Sequence, residues 1–213
     1  MLYNLIDLGL VDFVTAWQKQ KEVFLAVREG VLEPSVILCR HHPVITLGSS
    51  ACRDNILISE QELKDKGIGL YKIERGGEVT YHGPGQLIAW PIVDLHFFRK
   101  DIHFFLRYLE EKAIDLLSDF GVRGQRREGS TGVWVGTRKI ASIGIAIKSW
   151  ISFHGLSVNI MEEDLANFKL IRPCGMDIEM TSLENELGRS IEIDTVKVNL
   201  MQRFNARVES LSN

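Results

Sequence analysis

The chain has 213 residues, enough for one well-buried core, and its 45% apolar and 25% charged residues are ordinary for a soluble globular protein. No apolar run reaches the roughly 20 residues that a membrane-spanning helix needs. The formal net charge of -3 argues against sequence-independent nucleic-acid binding, which requires a positive surface.

The N-terminal MLYNLIDLGLVDF carries acids and no basic region, so it does not read as a secretory signal. Residues 2–8 read as a first strand. A helix follows from about Asp12, an N-cap type, to Arg28, with Gly30 just past its end. SVILC (35–39) and VITLG (44–48) are short β-rich runs around the turn RHHP, whose histidines His41 and His42 receive no role. Ser59 with Glu62 three residues on makes a capping box, so 59–66 is a short helix. LYKI (70–73) returns as a strand.

After a glycine-rich loop, LIAWPIVDL (87–95) is nearly all apolar and reads as a strand buried on both faces, with Pro91 at its edge or at a bulge. Asp101 to Phe120 is the clearest helix: Ile102, Phe105, Leu106, Leu109, Ala113, Leu116, Leu117 and Phe120 form one stripe at helical period, and Gly121 ends it. Residues 132–160 read as a three-strand meander turning at Gly136–Thr137 and Ser149–Trp150. A last helix starts at Asp194 or Thr195. Regular βαβ alternation is missing. The expected fold is therefore a single α+β domain over 1–213, a mixed sheet with the two long helices covering one face.

Two stretches carry chemistry. RGGEVTYHGPGQL (75–87) sets four glycines around Tyr81, His82 and Gln86. It lacks the Walker and GxGxxG patterns, and a strand follows it, so no helix N-terminus awaits a phosphate. It reads as a binding wall. IRPCGMD (171–177) puts Cys174 between proline and glycine on a tightly turned backbone, which makes it the candidate nucleophile. Cys39, inside an apolar strand, belongs to the core, and Cys52 is a polar-loop thiol. Three cysteines without CxxC spacing suggest no disulfide framework or metal site and a reducing, cytoplasmic compartment. A thiol near its usual pKa of about 8.5 needs a base or cation beside it. Lys139, His82 and His154 are the candidates.

RGGEVTYHGPGQL, KIASIGI, HGLSVNI and RPCGMD, in this order and spacing, resemble the lipoyl(octanoyl) transferases of the biotin/lipoyl protein ligase superfamily, over about Leu2 to Glu186. The resemblance implies an α+β fold of that ligase type. It also implies transfer of an octanoyl group from acyl carrier protein to a lysine of lipoyl domains through a cysteine thioester, the first step of endogenous lipoate synthesis. It places the nucleophile at Cys174 and its acid–base partner at Lys139. The substrate wall it implies is Arg75, Gly76, Gly77, Glu78, Val79, Thr80, Tyr81 and His82, then Ser142, Ile143 and Gly144, then Gly155, Leu156 and Ser157, with His154 in possible support. Ser157 stands where the family carries a small apolar residue. No cofactor, metal, nucleic acid or membrane is expected. Arg75, Arg123, Arg126, Arg127 and Arg138 are candidate contacts for an acidic carrier. An ATP-dependent lipoate– or biotin–protein ligase is the alternative on the same fold.

Overall fold

The computed structural model describes residues 2–173 and 178–206. In chain order its elements are β1 (Asn4–Val11), α1 (Phe13–Arg28), β2 (Ser35–His41), β3 (Val44–Leu47), α2 (Glu60–Asp65), β4 (Gly69–Lys72), β5 (Val79–His82), β6 (Gln86–Ile92) and α3 (Ile102–Asp119). Then come β7 (Gln125–Arg127), β8 (Ser130–Val135), β9 (Arg138–Lys148), β10 (Ile151–Asn159), α4 (Leu183–Leu187) and α5 (Ile193–Asn205). Among the described residues, no helix is long and apolar enough to cross a membrane.

The most apolar strands decide the layering. β2 and β6 are buried along nearly their whole length, so both of their faces need cover. They pair antiparallel at the centre of a seven-stranded sheet of order β1-β2-β6-β10-β9-β8-β7. β1 joins β2 in parallel, and the other pairs are antiparallel, so the sheet is mixed. A second sheet, β4-β3-β5, lies apart from it.

The two long helices do not share a face, contrary to the expectation. α1 sets Phe13, Ala16, Phe24 and Val27 against Ile37, Cys39, Ile88 and Trp90. α3 sets Phe105, Leu109, Ala113 and Leu116 against Val36, Leu38, Leu87 and Ala89, and α5 joins it there through Val196, Leu200 and Phe204. Odd and even residues of β2 thus feed two cores. A strand apolar at every position demands this arrangement.

Local signals act as their chemistry dictates. Ser59 and Glu62 form the capping box of α2, and Asp101 Oδ1 accepts from Phe104 N–H (3.0 Å) at the head of α3. Asp12 precedes α1 without a side-chain cap bond. The meander turns at Gly136 (φ 58°) and at Ser149 and Trp150 (φ 53° and 63°). Pro91 sits neither on an edge strand nor at a bulge. The β6–β10 ladder stops at Ala89–Leu156 and resumes only at the Asp94–Ile151 bridge, and Pro91, which has no N–H to donate, falls in the gap. Ser152 Oγ repairs the break by donating to Pro91 O (2.8 Å) and accepting from Val93 N–H (3.1 Å).

Candidate active site

Where the two sheets meet, a cavity of about 440 Å³ opens. One wall is the glycine-rich segment Arg75 to Thr80, continued by His82. The facing wall is Ser142 to Ile145 of β9 and His154 to Ser157 of β10. Lys139 opens on it at the start of β9. Phe13, Ile73, Ile88 and Trp90 give the cavity an apolar end continuous with the core under α1, and Ile102, Leu106 and Trp134 line another part. The sequence offered no signal for these apolar residues, because a lining Trp or Ile reads like any core residue. Ile102 and Leu106 are no exception, since they sit on the same helical stripe as the buried Phe105 and Leu109.

Backbone bonds fix the spacing of the walls. Gly76 N–H donates to Ile145 O (2.8 Å), which ties the glycine segment to β9. On its other side, Gly48 and Ser49 N–H donate to Glu78 O (3.1 Å) and Arg75 O (2.9 Å). Arg75 is 8% exposed, and its guanidinium donates to Thr46 O (2.7 Å), Thr46 Oγ1 and Gly76 O. It braces the loop from inside and is not available to meet a carrier protein.

Three of the other candidate arginines also have partners within the chain. Arg126 is held by Glu110, by Glu111 and by Arg107 O (3.1 Å), and Arg138 pairs with Glu186 at 2.9 Å. Arg127 lies over the Trp134 ring at 5.0 Å. Arg126 and Arg138 are thus committed to ion pairs within the chain, while Arg123, Arg126 and Arg127 remain exposed.

Tyr81 turns away from the cavity. Alternation along β5 sends Thr80 and His82 to the cavity and buries Tyr81 between the second sheet and Phe168. Its hydroxyl donates to Asp164 Oδ1 (3.1 Å) and accepts from Asn167 Nδ2 (2.8 Å). Asp164 also explains two glycines of the motif. A Cβ on Gly83 would stand 2.4 Å from its carboxylate, and one on Gly85 would stand 3.0 Å from it. Gly85 N–H donates to the same group. Gly83 and Gly85 are therefore bare to admit Asp164, while Arg75 to Thr80 and His82 face the cavity.

Buried His41 and His154 flank Trp90, with ring centroids 5.5 and 6.0 Å from it, and half-buried His82 lies 6.1 Å from His41. Burial holds all three below their ordinary value: His41 is pushed down to about 4, and His82 to about 3 with repulsion from His41 as second cause. His82 Nδ1 meets Gln86 Oε1 (2.9 Å), and His154 Nε2–H donates to Glu74 (3.4 Å). The fold thus loses stability when histidine must charge. The unfolded chain takes up protons near pH 6.5, while folded His41 and His82 resist until about pH 4 and 3, so stability is complete above about 6.5 and falls below it. The urea midpoint should drop between about pH 6.5 and 5, above the carboxylate range, and His41→Asn should flatten that slope. An unchanged midpoint over that range contradicts burial of neutral imidazoles.

Of the three cysteines, Cys39 is fully buried under α1, where burial pushes its thiol far up, and Cys52 is exposed. Neither lines the cavity. Cys174 lies outside the described residues. Its flanks do not: Pro173 and Ile178 both line the cavity. Arg172 N–H donates to Asn55 O (2.8 Å). Past Ile178 the chain runs beside Lys139, whose N–H donates to Glu179 O (2.8 Å) and whose O accepts from Thr181 N–H (2.9 Å). Lys139 itself is 6% exposed, its Nζ 5.4 Å from the Trp134 ring. Among the described residues, no cluster of His, Cys, Asp and Glu is arranged to hold a metal ion.

Residues 12–205 match the family described as Lipoyl protein ligase A/B catalytic domain. The chain is 40% identical over 223 residues to an octanoyltransferase of Cytophaga hutchinsonii, covering 95% of this chain and 91% of that one. It is 44% identical over 180 residues to the octanoyltransferase of Gloeobacter violaceus, covering 84% and 78%. A crystal structure of lipoate-protein ligase A bound with ATP shares the fold with a TM-score of 0.80 at 16% identity, over 96% of this chain and 84% of that one. The chain belongs to the lipoyl protein ligase A/B catalytic domain family and stands within it among the octanoyltransferases, which are acyltransferases.

Proposed function

We propose that the protein transfers an octanoyl group from acyl carrier protein to a lysine of lipoyl domains, through a thioester on Cys174, as the first step of lipoate synthesis. One observation carries the reading. Lys139, buried at the start of β9, opens on the same cavity as Pro173 and Ile178, the residues on either side of 174–177.

The chemistry follows from the two groups. An ammonium beside the thiol favours its thiolate. The thiolate attacks the octanoyl thioester on the carrier's phosphopantetheine, and the new S–C bond forms as the old one breaks. Lys139 gives its proton to the departing pantetheine sulfur. The acceptor lysine amine then attacks octanoyl-Cys174, the amide C–N bond forms, and the Cys174 thiolate leaves. Neutral Lys139 takes the amine proton and is ready for another cycle. Thioester exchange is close to balanced and thioester to amide is downhill, so no ATP is consumed.

The cavity suits the substrate. Burying roughly six methylenes at about 0.8 kcal/mol each supplies about 5 kcal/mol. Phe13, Ile73, Ile88 and Trp90 offer an apolar end, and Ser142 and Ser157 offer polar groups where a pantetheine or acyl carbonyl would pass. The carrier, the lipoyl domain and a reducing cytoplasmic setting belong to this proposal. The test is direct: octanoyl-acyl carrier protein, a lipoyl domain and the enzyme, without nucleotide or Mg²⁺, should give octanoylated lipoyl domain by mass. An absolute requirement for ATP would instead make the protein a ligase.

A further inference from the structure

We propose that Glu110 is a positioning residue that sets the height of the Lys139 side chain through Gly132. This rests on the reading of Lys139 as the acid–base partner of Cys174. Glu110 is fully buried, an unusual place for a carboxylate. Its two oxygens are divided between two tasks. Oε2 accepts from Arg107 (2.6 Å) and Arg126 Nε (3.0 Å), which balance its charge. Oε1 reaches across from α3 and accepts from Gly132 N–H at 3.1 Å.

Gly132 is where Lys139 crosses β8. Its φ is 128°, and a Cβ there would lie 2.6 Å from Lys139 Cε and 3.2 Å from Nζ. The bare Gly132 backbone is thus the surface on which the lysine stem rests. The β8–β9 register also slips by one residue here, between Val133–Ala141 and Trp134–Lys139. A bulge re-aims the side chain beside it and loosens the ladder that would otherwise locate it. Something outside the ladder must then fix Gly132, and Glu110 is bonded to it. α3 is a firm platform for the task, since Phe105, Leu109, Ala113 and Leu116 anchor it on the sheet.

The test follows Cys174 thiolate formation, through the pH dependence of its alkylation by iodoacetamide, together with steady-state kinetics. Glu110→Ala and Glu110→Asp, which cannot reach Gly132, should lower kcat about tenfold to a hundredfold with little change in KM for the carrier substrate. Both should move the alkylation midpoint to higher pH, because a displaced ammonium favours the thiolate less. Glu110→Gln keeps one oxygen at the right length for Gly132 but turns its NH2 toward the Arg107 and Arg126 donors, so it should recover both only in part, and more than Glu110→Asp. If Glu110→Ala does not fold, Glu110→Asp, which keeps its charge for the arginines, carries the comparison. A wild-type midpoint and kcat in folded Glu110→Asp overturn the proposal. Lys139→Met is the control: if it leaves the midpoint unmoved, the reading of Lys139 fails first, and the role of Glu110 falls with it.

Discussion

Lys139→Met is expected to lower kcat by about 10²- to 10⁴-fold, the usual contribution of a placed acid–base group. Two steps lose the same partner. The thiol no longer has a cation to favour its thiolate, and the departing pantetheine sulfur no longer has a proton donor. KM for the octanoyl carrier should hold nearly constant, because the cavity walls are set by backbone bonds such as Gly76 N–H to Ile145 O, which the side chain does not touch. The fold should survive as well: Lys139 is tied to Glu179 and Thr181 by its backbone, and methionine fills the stem's space beside Trp134. Lys139→Arg should not restore activity, since a guanidinium does not give up its proton near neutrality. A loss of less than tenfold in Lys139→Met would contradict an acid–base role.

Cys174→Ala should be costly as well, with kcat down by on the order of 10³-fold or more, because the acyl group has no covalent resting place. The variant should still bind the octanoyl carrier, as the apolar end of the cavity is built from Phe13, Ile73, Ile88 and Trp90. Cys39→Ala or Cys52→Ala should leave kcat unchanged, since neither thiol lines the cavity. Steady-state assays of lipoyl-domain octanoylation separate the three. Wild-type turnover in Cys174→Ala would mean direct transfer from carrier to lysine.

Much of the fold was legible because its signals are local. The capping box at Ser59, the helical stripe of 102–120 and the turns at Gly136 and Ser149 depend on neighbours a few residues away. What escaped depended on partners far along the chain. The periodicity of α1 and α3 shows that each has an apolar face, but not which side of the sheet it meets. β7, three exposed residues Gln125–Arg127, has no apolar pattern to read. Pro91 sits inside the sheet with its carbonyl bonded by Ser152, 61 residues later, a partner that its sequence neighbours do not reveal.

The site was legible as a set of segments and less so in its details. Arg75 to Thr80, His82, 142–144, 155–157, His154 and Lys139 all come to one cavity. Tyr81 does not, because strand alternation turns it out and Asp164, distant in sequence, receives its hydroxyl. The same Asp164 accounts for Gly83, whose bareness in sequence looks like any other glycine of the motif. The ion pairs of two candidate docking arginines were hidden for the same reason. Glu110 and Glu186, which hold Arg126 and Arg138, lie far from them in the chain.

The central claim is that the octanoyl group passes through Cys174. Mixing the enzyme with octanoyl-acyl carrier protein in the absence of acceptor, then weighing the intact protein and mapping its peptides, tests it most directly. The account predicts one added octanoyl group, on the peptide holding Cys174, released when a lipoyl domain is added and absent in Cys174→Ala. An enzyme that stays unmodified while octanoylated lipoyl domain accumulates, or an adduct on another residue, would contradict it.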